Sequence, residues 1–163
     1  MDILPPADFY ASLPTKRSAA IVFYPCPNNT VLIVETTYKK DWLMPGGAIE
    51  KDESPLAAAK RESIEEIGFE KVTAQLLIVN YISTLGYKSE TIHFVFRGEA
   101  LIEEDIKAIE LPKEELKQFR CATLEEAQKV TSKVLREMIP IAFEALKSNK
   151  THYIEGTTEI ASI

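Results

Sequence analysis

Three glutamates fall within five positions of one another: Glu62, Glu65 and Glu66. On a helix of about 3.6 residues per turn, Glu65 and Glu66 flank Glu62 within roughly a 100° sector. Carboxylates crowded in this way repel one another by roughly a few tenths of a kcal/mol per pair. A hard divalent cation removes that repulsion. Oxygen-only ligands suit Mg2+, with Mn2+ as a substitute, and water and substrate phosphates complete the octahedron. A glutamate-rich helix face is in most proteins only a solvated surface. This one has company. Gly46-Gly47 and Glu53 precede it, Arg61 adjoins its first glutamate, and Gly68 follows its last apolar residue.

Those side chains need a helix, and the sequence supplies its ends. Ser54 is a good N-cap, Pro55 suits the first helical position, and Gly68 is a natural left-handed stop. Leu56, Ala57, Ile64 and Ile67 then fall opposite the carboxylates and are expected to pack on a sheet. Lys60 lies on that apolar side and must snorkel past it. Strands are expected on both flanks. The run 18–24 is β-branched and aromatic, and 31–35 reads as the second arm of a hairpin across Asn28-Asn29. Residues 72–83 read as one long strand or two, Leu85-Gly86-Tyr87 as a turn, and 91–97 as a strand. Ala108–Leu111 reads as a short strand. Thr123 followed by Glu126 is a capping-box pattern. Residues 132–147 carry two neighbouring apolar stripes, with Pro140 predicting a kink or break. Phe9, Tyr10 and Leu13 are expected to anchor the N-terminal lead-in.

Composition bounds the rest. A chain of 163 residues reads as one domain, here with a core over about 18–147 and a loosely held polar tail over 148–163. Hydrophobic residues at 45% and charged residues at 27% are close to the globular norm and exclude disorder along the whole length. No apolar run approaches the ~18 residues of a membrane span. The N-terminus has no basic start followed by an apolar stretch, so no secretory leader is expected. Cys26 and Cys121 fit no metal or redox spacing and read as reduced bystanders, which suits a cytoplasmic protein. A net charge of −6 argues against nucleic-acid binding and suits an acidic site that recruits divalent metal.

The string from Gly47 to Phe69 resembles the signature of the Nudix hydrolases, G-x5-E-x7-R-E-U-x-E-E-x-G-U, where U is bulky and apolar. Gly47, Glu53, Arg61, Glu62, Glu65, Glu66, Gly68 and Phe69 match in type and spacing. A chance match is on the order of one in a hundred million per start position. Ser63 departs from a bulky position, and a small residue there is expected to loosen packing. Trp42-Leu-Met-Pro-Gly-Gly47 is also similar to the family's approach to this box.

The resemblance implies an α/β/α sandwich with a mixed β-sheet and a loop-helix-loop metal site. It implies metal binding by Glu62, Glu65 and Glu66, joined by the carbonyl of Gly46. Glu53 then supports the site and Arg61 orients a glutamate. The implied reaction is hydrolysis of a nucleoside diphosphate linked to a group X. Lys39 and Lys40 stand just upstream as candidate phosphate contacts. Relatives often take the general base from a loop after the later strands. Glu103, Glu104, Glu114 and Glu115 are candidates, with Glu115 favoured; Glu53 and Glu62 are also eligible. The implied partner is a small-molecule nucleotide, with a leaning to nucleoside triphosphates or oxidised nucleotides. Dinucleoside polyphosphates, nucleotide sugars and a non-catalytic nucleotide-binding module are the alternatives. No proline stands between Pro55 and Pro112, which argues against the ADP-ribose branch. Tyr87, eighteen residues past Phe69, resembles a mark of the dinucleoside polyphosphate branch. Tyr24, Tyr38, Tyr81, His93 and Phe96 are candidates for stacking on a base. Monomer and homodimer both remain open.

Overall fold

The structure is a computed structural model that describes residues 5–84, 86–156 and 158–162, the last five by backbone alone. Met1–Leu4 of the lead-in and Leu85 of the expected turn lie outside the described residues. The chain begins with α1 (Pro6–Ser12), β1 (Arg17–Phe23), β2 (Pro25–Cys26), β3 (Thr30–Thr36), β4 (Trp42–Leu43) and β5 (Gly46–Ala48). It continues with α2 (Pro55–Ile67), β6 (Val72–Ile82), β7 (Thr91–Gly98), α3 (Glu103–Lys107) and β8 (Leu116–Ala122). It closes with α4 (Leu124–Val130), α5 (Lys133–Ser148), β9 (His152–Glu155) and β10 (Thr158–Ser162).

Strand alternation sorts the core into two layers. Ala20 and Val22 of β1 pack with Ala58, Ala59 and Ile67 of α2. Ile21 and Phe23 face the other way, against Met138, Ile139, Ala142 and Phe143 of α5. The fold is therefore the expected mixed α/β sandwich, with helices on opposite sides. One sheet runs β10-β9-β6-β7-β1-β5, with β1 parallel to β7 and antiparallel to β5. A second sheet joins β2, β3 and β4, and β8 pairs along β3.

Several local expectations change in this frame. The strands 18–24 and 31–35 do not form one hairpin. β1 stays in the first sheet, and the short β2 makes the turn with β3 in the second. Asn28 and Asn29 take left-handed φ values of 59° and 57° in that turn, which asparagine tolerates well. Ala108–Leu111 forms no strand; α3 precedes it. α5 runs through Pro140 without a break, because its apolar stripe is held in the core. The polar composition after Ser148 suggests a loose tail, yet β9 pairs in parallel with β6 and buries His152 and Ile154. Conversely, α1 buries no residue, and Phe9, Tyr10 and Leu13 stay exposed.

The buried face of α2 is also rotated from expectation. Ser63 is fully buried, whereas Ile64 is 52% exposed and Ala57 is exposed. Ser63 loosens nothing: its hydroxyl meets the Tyr24 hydroxyl and donates to the Phe69 carbonyl at 2.8 Å. The bulk missing at position 63 is supplied by Tyr24, from the link between β1 and β2.

The ends of α2 follow the sequence. The Ser54 hydroxyl accepts the Ala57 N–H at 3.2 Å. Gly68 caps the C-terminus at φ 85°, with its N–H on the Ile64 carbonyl at 3.0 Å. A Cβ at Gly68 would meet only ordinary contacts, the nearest at 3.6 Å. The cost of a side chain there is therefore conformational, about 1 kcal/mol or more for a β-branched residue. We expect Gly68→Val to lower the melting temperature by several degrees, measured by calorimetry. An unchanged melting curve would place the helix stop elsewhere.

Candidate active site

Three elements deliver the carboxylates. The pairing of β5 with β1 sets Gly46 and Gly47 beside α2. α2 carries Arg61, Glu62, Glu65 and Glu66. The β3–β8 ladder brings in Glu115, whose carbonyl accepts the Thr37 N–H at 2.8 Å.

Arg61 is the hub. Its Nε and Nη2 donate to the two oxygens of Glu53 at 2.9 and 3.0 Å, a bidentate fork. Nη2 also donates to the Ala48 carbonyl at 3.0 Å. Nη1 donates to Glu62 at 2.7 Å and to Glu65 at 3.0 Å. The fork, helped by the Glu50 N–H, holds the Glu53 carboxyl below its ordinary pKa. Glu62 moves the other way. Burial raises its pKa, Arg61 opposes that, and Glu65 and Glu115 add to the rise.

Among the described residues no cation pairs with Glu66. Its carboxylate accepts the Gly46 N–H at 2.8 Å. Burial first, then the charges of Glu62, Glu115 and Glu65, push its pKa up to about 8. Gly47 explains how Glu62 fits: a Cβ there would stand 2.3 Å from the Glu62 carboxylate. Tyr38 feels the charge of the same cluster. Burial and then Glu66, Glu115 and Glu62 raise its pKa.

The structure thus groups Gly46, Glu53, Arg61, Glu62, Glu65, Glu66 and Glu115. Glu103 and Glu104 sit on α3, exposed, and Glu114 is exposed in the turn before β8. Among the described residues no three acidic, histidine or cysteine groups stand as a ready coordination set. Glu62 and Glu65 face Arg61 instead. The donor chemistry nonetheless fits a hard divalent cation: all-oxygen, crowded, and with two members, Glu62 and Glu66, whose pKa is raised by burial and by neighbouring carboxylates.

A cavity of about 440 Å³ opens beside Gly46 and Gly47. Arg17, Lys39 and Lys88 bring positive charge to its lining, with Asp41 the one acid among the described residues, and Ser83, Ser89, Thr91, Ser132 and His93 add polar groups. Arg17 is braced by Ser89, whose hydroxyl accepts from Nε at 3.0 Å and whose carbonyl accepts from Nη2. No tyrosine, phenylalanine or tryptophan lines it among the described residues. Of the five candidate stacking residues, only His93 does. Tyr24 and Phe96 are core, and Tyr81 is tied to Glu90. Sequence reasoning missed Arg17 and Lys88. Arg17 starts a strand in step with Ala19 and Ile21, but the wall it faces comes from β7 and the residues before it.

These features define a crowded acidic centre beside a cationic cavity on an α/β sandwich. The chain belongs to the Nudix family: the NUDIX domain family model matches residues 14–141. Among curated relatives, diphosphoinositol polyphosphate phosphohydrolase 3-alpha of Mus musculus is 34% identical over 90 residues, 55% of this chain and 54% of that protein. The chain spans about half the length, or less, of the curated relatives it matches. Solved structures agree on the fold. A UDP-X diphosphatase superposes with TM-score 0.70 at 18% identity, covering 93% of this chain and 76% of that one. The NUDIX domain of Shewanella oneidensis NrtR, complexed with ADP ribose, gives 0.69 at 14% identity, covering 88% and 99%. Nudix hydrolases act on phosphoric anhydrides and generally use divalent metal ions.

The charge on Glu66 yields a pH prediction for the metal-free protein. Its folded pKa lies above its unfolded one, so its stabilising contribution is complete below the ordinary carboxylate range. That contribution is lost as pH rises to about 8. We expect the melting temperature of metal-free protein to fall across this window, and Glu66→Gln to fall less. Parallel curves for the two proteins would contradict the buried, protonated Glu66.

Proposed function

We propose that this protein is a Mg2+-dependent Nudix pyrophosphohydrolase that cleaves the diphosphate linking two groups, one of which, X, occupies the cationic cavity. The carrying observation is the juxtaposition of two opposite fields. A crowded carboxylate face stands next to a pocket furnished with Arg17, Lys39 and Lys88. Glu62, Glu65 and Glu66, with the Gly46 carbonyl, are the residues that would hold the cation. A cation held there would supply charge to neutralise the diphosphate and to lower the pKa of the attacking water. Arg61 and Glu53 position the ligands and keep the loop against the helix. Glu115 accepts the proton of the attacking water from outside the helix.

The cavity lining favours a polar, anionic X, such as a phosphorylated polyol or sugar, over a base buried in a stack. The names of the mouse relative and of the UDP-X diphosphatase are in keeping with that class. A nucleoside triphosphate remains the second reading. It is favoured by the exposed Tyr38 and Tyr87, each under a neighbouring lysine at 5.3 and 6.0 Å from the ring centre.

The test is phosphate or nucleotide release from a panel of ATP, diadenosine tetraphosphate, ADP-ribose, UDP-glucose and a diphosphoinositol polyphosphate, with and without Mg2+. We expect turnover that excess chelator abolishes and that Glu65→Gln cuts by several orders of magnitude. Full activity in chelator would overturn the reading; binding without turnover would favour a non-catalytic module.

For the base, Glu115→Gln should lower kcat by about 10²–10⁴-fold with metal affinity little changed. Gln variants at Glu103, Glu104 and Glu114 are the comparison. If only one of those three collapses, the base is that residue; if all four keep their rates, it lies at Glu53 or Glu62.

A further inference from the structure

Glu115 stands on a turn that packing does not hold. Lys113, Glu114 and Glu115 are all exposed, and the chain is buried again only at Leu116. A segment with so few buried contacts sits at the low end of local stability, so the backbone bonds that close it decide its shape. On one side the Pro112 carbonyl accepts the N–H groups of Glu115 and Leu116, each at 2.9 Å. On the other side stands Thr37. Its N–H donates to the Glu115 carbonyl at 2.8 Å, and its hydroxyl donates to the Glu114 carbonyl at 2.9 Å. The ladder next to it prepares this contact. Glu35 pairs with Gln118 but Thr36 with Leu116, so Lys117 is an extra residue on β8. Lys117 Nζ and Gln118 Nε2 both reach the Glu35 carboxylate, at 3.4 and 2.6 Å. A bulge of this kind bends its strand and re-aims the side chains beside it.

We propose that Thr37 is a positioning residue: it clamps the turn of Lys113, Glu114 and Glu115 to the end of β3 and so keeps the Glu115 carboxylate at the acidic centre. The clamp stands on its two bonds; its effect on turnover rests on the hydrolase reading above, with Glu115 as the base. Two grips on neighbouring carbonyls fix the direction of the turn as well as its place, which a single bond does not. The need for them is electrostatic. The charge of Glu115 is felt at Glu62 and Glu66, and like charges push an exposed carboxylate outward. A base must lie within hydrogen-bond reach of the water it deprotonates, and a misplacement of about 1 Å is costly in rate. Lys39, on the cavity side, is held separately. Its N–H donates to the Thr36 hydroxyl at 3.1 Å, and Thr36 is buried in the ladder. Loss of the Thr37 hydroxyl therefore leaves the cavity lining in place and frees the turn alone.

The test compares Thr37→Val, which keeps the shape and loses the hydroxyl, with Thr37→Ser, which keeps the hydroxyl. Position 37 is exposed, so neither change disturbs the core. In amide hydrogen exchange of the metal-free protein, the Glu115 N–H should exchange several-fold faster in Thr37→Val and at the wild-type rate in Thr37→Ser. Equal protection in all three proteins overturns the clamp, whether or not the chain is a hydrolase. On whichever of ATP, diadenosine tetraphosphate, ADP-ribose, UDP-glucose and the diphosphoinositol polyphosphate is cleaved, Thr37→Val should lower kcat about tenfold. KM should change little, and Thr37→Ser should restore the rate. The decisive comparison is made in Glu115→Gln protein. There the loss from Thr37→Val should vanish, because no base remains to be placed. The same loss in both backgrounds, or none in the wild type, overturns the role in turnover. If Glu115→Gln keeps full activity, that role falls with the base. If the wild type cleaves nothing on the panel, the hydrolase reading fails while amide exchange still decides the clamp.

Discussion

One guanidinium holds the acidic centre together. Arg61 gives its donors to Glu53, Glu62, Glu65 and the Ala48 carbonyl, so one cation ties the loop before α2 to the helix itself. The geometry is that of arginine. A lysine has neither the planar fork for Glu53 nor enough fixed donors for three carboxylates. Glu66 lies beyond its reach, and burial there favours the protonated acid. Arg61 thus offsets only part of the negative charge of this centre, which leaves room for a divalent cation.

That balance depends on close backbone approach. Gly47 has no Cβ, and the Glu62 carboxylate occupies the space one would fill. Ser63 and Tyr24 play a matching part on the hidden side of α2. Their hydroxyls meet where two large apolar side chains would otherwise be needed. The helix is set against the sheet by polar as well as apolar contacts, and its carboxylate face is aimed by how it is seated underneath.

The cavity reverses the sign of the molecule. A chain with net charge −6 gathers Arg17, Lys39 and Lys88 around one opening, beside its densest patch of glutamate. In the proposed reading the two fields divide one substrate. The carboxylates take the diphosphate through a cation, and the basic wall takes the group attached to it. Focusing of unlike fields in adjacent sites also orients a charged ligand before it docks.

By itself, the sequence determined the family, the ends of α2 and the membership of the acidic centre. Each is local: Ser54, Pro55 and Gly68 act within a turn, and the box residues act through helical spacing. It also marked Glu115, by position in a loop. The tertiary structure decided the rest. The seating of α2 depended on Tyr24, thirty-nine residues from Ser63, so helical periodicity alone assigned Ile64 to the wrong face. The hairpin of 18–24 with 31–35 gave way because β1 found a better partner in β7, far along the chain. The tail strand β9 has too little apolar character to announce itself and exists because β6 offers it an edge. Arg17, Lys88 and His93 carry no spacing that links them. They meet because parallel pairing of β1 and β7 sets Arg17 against Thr91 and Ala19 against His93, and side-chain alternation turns that row toward one cavity.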